Sequence, residues 1–163
     1  MRRDLRLGDN PILHEVSRHL KQTQQPYTHL LPLYVFPAQQ MEVSGLLNSP
    51  DARSPYPEAR SPSGGFWRCG PHRVRFLTES VWNVKKSLEG VGSGLELRAG
   101  MLGDVVRELL AGYRDIDAKV VGVWMTSEEG IEEKREEREV RQAAEKSGVD
   151  FKIWVDEKYY IDE

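Results

Sequence analysis

With 163 residues the chain has the length of one globular domain, and its formal net charge of −3, with 10 basic against 7 acidic side chains up to residue 82 and 13 against 19 beyond, lacks the basic excess of a duplex-binding surface. Hydrophobic residues at 39% and charged residues at 30% are ordinary for a soluble protein; no apolar stretch reaches the roughly 18 residues of a membrane span, and no apolar segment of signal-peptide type follows the cationic start Met1–Arg6. A single cysteine, Cys69, and four scattered histidines exclude a disulfide framework and a Cys/His zinc site, so no metal is expected and an intracellular, reducing compartment fits best.

Asp9 or Asn10 can cap a first helix that has Pro11 at its start, apolar residues Ile12, Leu13, Val16 and Leu20 at helical spacing, and an end near Gln24. Leu30 to Phe36 is a short continuous apolar run, which reads as a strand buried on both faces and starting at Pro32. Residues 37–65 hold five of the nine prolines and many serines, with only Met41, Val43, Leu46 and Leu47 as apolar anchors, and read as a long surface excursion. A second helix has Pro71 in its first turn, carries Val74, Leu77, Val81, Val84 and Leu88 on one face, and stops at Gly90. Leu95–Ala99 is a short strand, and Leu102 to Tyr113 mark a third helix. Val120–Met125 is expected to be the best-buried strand of the chain. A charged helix from about Ser127 to Lys146 and a strand over Phe151–Val155 complete the series.

Strands alternating with helices predict an α/β fold over residues 1–163, a Rossmann-like three-layer α/β/α sandwich with a parallel sheet. The series opens on a helix, whereas a doubly wound sheet starts on its central strand. The expectation is that this first strand, about five residues long, is missing in front of Arg2.

The opening residues Arg2-Arg3-Asp4-Leu5-Arg6-Leu7-Gly8-Asp9-Asn10-Pro11 closely resemble a motif of the photolyase/cryptochrome family, R-x-D-L-R-L-x-D-N-P after an apolar strand. The block Gly64 to Val81 is similar to the helix entry of DASH-type cryptochromes, fungal ones in particular, and Trp124–Glu129 and Ile153-Trp154 fall where that family has its fourth and fifth strands. The resemblance implies the N-terminal α/β domain of a blue-light flavoprotein related to DNA repair. In such proteins a helical C-terminal domain, not expected in this chain, holds FAD and reaches DNA. The α/β domain is linked instead to an antenna chromophore, in many members a folate such as methenyltetrahydrofolate. The resemblance places the folate-contacting carboxylate at Glu128 or Glu129 as cofactor-binding residues, with no catalytic residue and no metal ligand in the chain, which alone is not expected to be catalytic. Trp124 stands near a position where many relatives carry a Glu, and its ring would fill chromophore space if it faced the crevice. The alternative reading is a stand-alone module for a nucleotide-like ligand or a protein partner, or an inactive remnant.

Other signals have plainer readings. Arg2, Arg3, Asp4, Arg6 and Asp9 can knit the first turn together through guanidinium–carboxylate pairs or line a chromophore or domain interface. The run Glu132–Glu139 reads as a solvated helix face with opposed charges at Glu132/Arg135 and Glu137/Arg141. Gly90, Gly92 and Gly94 follow a helix and precede a strand, the reverse of a dinucleotide-binding loop. Cys69 lacks a partner base, and Trp67, Trp82, Trp124 and Trp154 read as packing residues.

Overall fold

Residues 4–20, 27–43, 49 and 51–155 are described by a computed structural model. In chain order the elements are α1 (Pro11–Leu20), β1 (Leu33–Pro37), α2 (Pro71–Glu89), β2 (Glu96–Gly100), α3 (Leu102–Asp115), β3 (Gly122–Thr126), α4 (Ile131–Lys146) and β4 (Asp150–Trp154). The expected end of the first helix near Gln24 lies outside the described residues. β1 runs parallel to β2, from Leu33↔Glu96 to Pro37↔Gly100, and β3 runs parallel to β4, from Gly122↔Asp150 to Thr126↔Trp154. Parallel neighbours need a crossover, and α2 and α4 supply one each. The α/β alternation and the parallel sense match the expectation, and among the described residues the strands pair as two two-stranded sheets.

The chain divides into two compact units, residues 31–105 and residues 1–30 with 106–163. In the first, β1 is buried on both faces at Tyr34, Val35 and Phe36. Its ladder begins just after Pro32, whose carbonyl still accepts from the Glu96 amide. α2 starts with Pro71, where a missing N–H costs nothing, and buries Val81, Val84 and Leu88. Val81 is fully enclosed, a burial that contributes about 1.5–3 kcal/mol. The helix stops at Gly90, whose amide donates to the Lys86 carbonyl. In the Pro/Ser-rich excursion Met41, Val43 and Ala59 are buried; Leu46 and Leu47 lie outside the described residues.

In the second unit, side chains alternate along β3 and β4. Phe151 lies under the Arg141 guanidinium of α4, 4.7 Å from its ring centroid, and α4 buries Val140, Ala143 and Ala144. Trp124, Lys152 and Trp154 share the opposite face, and Tyr27 packs edge-on against Trp124 with ring centroids 5.6 Å apart. Two expectations are corrected here. β1 is the best-buried strand, not β3: Val121 is exposed and outside the ladder, and only Met125 and Thr126 of β3 are buried, since among the described residues β3 has a single strand neighbour. The charged run is not a wholly solvated face either, because Glu133 is buried and Glu137 nearly so.

Candidate functional site

The first turn is built as a cap. Arg6 donates from Nε to Asp4 Oδ1 and from Nη2 to Asp4 Oδ2, both at 2.9 Å, in a bidentate pair, and from Nη1 to Asp9 at 2.8 Å. Asn10, not Asp9, caps α1: its Oδ1 accepts from the amides of Ile12 at 3.0 Å and Leu13 at 3.2 Å. Asp4, Arg6 and Asp9 therefore hold the entry to α1, as the plainer reading expected; Arg2 and Arg3 lie outside the described residues.

One turn into α1, Glu15 Oε1 accepts from Arg18 Nη2 at 2.7 Å and lies 3.1 Å from His19 Nε2. The hydrogen bond from Arg18 holds the Glu15 carboxyl below the ordinary carboxylate range, against the opposing pull of desolvation. Desolvation, helped by the Glu15 charge, pushes the Tyr27 hydroxyl above its ordinary value.

Glu128 and Glu129 lie in the turn after β3, at the carboxyl end of a parallel pair, where ligand sites of α/β folds gather. α4 begins at Ile131, so neither residue occupies its first turn; Glu132 and Glu133 do, and they complement the positive end of the helix. Glu128 is half-buried. Glu129 is 88% exposed and faces Lys134 Nζ at 3.5 Å. The turn is held from both sides: the Ser127 amide donates to the Trp154 carbonyl at 2.8 Å, and Lys134 Nζ donates to Ser127 Oγ at 2.9 Å. Glu133 folds back over Gly130, so that its carboxylate would meet a Cβ placed there. Lys134 is the residue that the sequence reading missed. It was absorbed into the charged run, although it stands one turn past Gly130 with acidic residues at 129 and 137 to pair with.

Trp124 does not project toward this edge. A Cβ on Gly122 would lie 3.0 Å from Trp124 Nε1, so the indole leans back over Gly122, toward the amino end of β3. Its neighbours are Tyr27, Trp154 at 5.9 Å between centroids, and Lys152 Nζ at 5.5 Å. Trp124 and Trp154 thus serve packing, as expected, while Trp67 and Trp82 lie at the surface. Among the described residues no group of His, Cys, Asp and Glu is placed to hold a metal ion, and no helix is long and apolar enough to cross a membrane.

A family model for DNA photolyase matches residues 1–159. The chain is 50% identical over 161 residues to a putative mitochondrial cryptochrome DASH of Neurospora crassa, covering 99% of this chain and 21% of that protein. It is 44% identical over 163 residues to a putative cryptochrome DASH of Gibberella zeae, covering 100% of this chain and 23% of that one. The chain therefore spans less than a quarter of the length of these relatives. Among solved structures, the archaeal photolyase of Sulfolobus tokodaii, crystallised with two FAD molecules, superposes with a TM-score of 0.59 at 18% identity, over 96% of this chain and 29% of that one, which shows the shared fold.

Proposed function

The chain belongs to the DNA photolyase family and matches DASH-type cryptochromes along its whole length, and from this we propose that residues 1–163 act as one α/β module that carries an antenna chromophore. The ligand in this reading is a folate such as methenyltetrahydrofolate. Its pterin ring offers N–H groups, and Glu128 and Glu129 supply carboxylate acceptors, each such bond contributing about 1.5–3 kcal/mol when shielded from water. The observation that carries the reading is the half-buried Glu128 after the buried end of β3, in a turn braced by Ser127 and Lys134. Glu129, in water beside Lys134, is the weaker contributor.

Gly90, Gly92 and Gly94 sit between α2 and β2 rather than between a strand and the helix it feeds, so they do not form a dinucleotide-binding loop. FAD and DNA are held, in this reading, by a helical region of a longer protein. Residues 1–163 alone then split no pyrimidine dimer, because the chemistry is the flavin's. A reducing compartment completes the proposal.

The test is a titration of the purified chain with methenyltetrahydrofolate, followed by its near-ultraviolet band. Weak saturable binding is expected, lost in Glu128→Ala and reduced in Glu129→Ala. Tight binding indifferent to both substitutions would overturn the site. Illumination with added FAD and thymine-dimer DNA is expected to give no repair above the protein-free control.

A further inference from the structure

The segment between β1 and α2 writes one tripeptide twice, Arg53-Ser54-Pro55 and Arg60-Ser61-Pro62, seven residues apart. A proline after serine biases the serine toward extended backbone and removes the next amide donor, while the arginine places a cation directly before the hydroxyl. Both copies reach the surface. Arg53, Pro55, Arg60 and Pro62 are exposed, and the two serines are partly so. Between the copies the segment is pinned: Ala59 is buried, and the Tyr56 hydroxyl lies against Gly100 at the end of β2, where a Cβ would come within 2.7 Å of it. The serines flank that pin.

Their surroundings differ. Ser54 stands in a stretch with prolines at 55 and 57, and its Oγ accepts from the Tyr56 amide at 3.2 Å. The Ser61 amide donates to the Phe66 carbonyl at 2.8 Å, and its carbonyl accepts from the Gly65 amide at 2.9 Å, so its backbone is tied into a closed turn. Arg60 clamps that turn by donating to the Gly65 carbonyl at 2.8 Å and to Glu58, with its guanidinium 3.8 Å above the Trp67 ring.

We propose that Ser54 and Ser61 are phosphate acceptors for a proline-directed protein kinase, with Ser54 modified before Ser61. A kinase reads its acceptor as extended backbone. Ser54 is tied by its own Oγ bond to the Tyr56 amide two residues on, whereas the turn around Ser61, closed by backbone bonds to Phe66 and Gly65 and clamped by Arg60, has to open first. In each transfer the serine Oγ attacks the γ-phosphorus of ATP, the bond from that phosphorus to the ADP oxygen breaks, and the hydroxyl proton passes to the kinase's base; phosphoserine and ADP result. Residues 51–68 carry three arginines against Asp51 and Glu58, a net charge of +1. Two phosphoserines at about −1.5 to −2 each turn this to about −2 to −3, and the one at Ser61 competes with Glu58 for Arg60. The modification would therefore reverse the sign of this surface.

The test incubates the purified 163-residue chain with ATP and a proline-directed kinase, and maps phosphate by site over time with mass spectrometry. A synthetic peptide of residues 50–66 runs alongside. Two phosphates are expected on the chain, at Ser54 and then at Ser61; Ser54→Ala and Ser61→Ala each remove one, the double variant removes both, and Ser49, which also precedes a proline but follows no arginine, takes only a trace. Either serine left unmodified in the chain overturns the proposal, most directly if the peptide accepts phosphate at both. Ser61 leading Ser54, or Ser49 keeping pace with them, overturns it as well.

Discussion

Replacing Asn10 by alanine removes the acceptor that closes the start of α1. Asn10 Oδ1 takes two amide hydrogens, from Ile12 and Leu13, and its own carbonyl accepts the first helical bond from His14 at 3.0 Å. Loss of a side-chain cap alone costs about 0.5–2 kcal/mol. Here the residue is 5% exposed, so water does not readily replace the lost acceptor, and leaving buried donors unpaired costs about 1–3 kcal/mol. The two ranges describe the same event and overlap at about 1–2 kcal/mol. For a chain of this size that corresponds to a fall of about 2–8 °C in Tm. Asn10→Asp keeps an oxygen in place and adds negative charge at the positive end of the helix, so it should stay within ~1 kcal/mol of the parent. Thermal and urea unfolding followed by circular dichroism measure both. If alanine matches the parent, or aspartate is as damaging as alanine, the capping argument is wrong.

Three further outcomes follow from the same unit. Because the Glu15 carboxyl is held below its ordinary range by Arg18, its contribution to stability is complete above the unfolded-state value of 4.5 and is lost as pH falls through the lowered folded-state value; Glu15→Gln should flatten that part of the stability–pH curve, and an unchanged acid limb would refute the assignment. Gly130→Ala brings a Cβ against the far end of the Glu133 side chain, which has to swing aside, and because Gly130 is exposed with φ −68° the cost by urea unfolding should be about 0.5 kcal/mol, removed by Glu133→Ala in the same chain; a loss above about 2 kcal/mol would mean that Glu133 is held in place. Trp124→Ala should cost about 2–4 kcal/mol and weaken the near-ultraviolet dichroism of the aromatic cluster without raising folate affinity, since the indole leans away from Glu128; improved folate binding would show that the ring does block the site.

Local signals in the sequence were enough for much of the fold. Asn10-Pro11 marks the start of α1 because capping uses atoms two or three residues apart. The spacing of Val81, Val84 and Leu88 marks the buried face of α2, and the unbroken run Tyr34–Phe36 marks a strand buried on both sides. The ten-residue opening motif pointed to the family, and its Asp4–Arg6–Asp9 pairs and Asn10 cap are physical reasons for those residue types.

The tertiary structure decided what depends on partners distant in sequence. Strand pairing is one case: each parallel pair spans more than twenty residues, and nothing local says which strands pair, or that among the described residues β3 has one strand neighbour and is less buried than its composition suggests. Glu133 and Glu137 looked solvated because charge patterning counts neighbours along a helix, yet one folds back over Gly130 and the other lies between Lys134 and Arg141. The candidate site divides in the same way. Periodicity placed Glu128 and Glu129 near the end of a strand, but which carboxylate is half-buried and which stands in water depends on where Lys134 reaches, and the direction of Trp124 depends on the space that Gly122 leaves beside it. Side-chain direction and burial are set by close packing between segments, and a one-dimensional pattern does not encode that packing residue by residue.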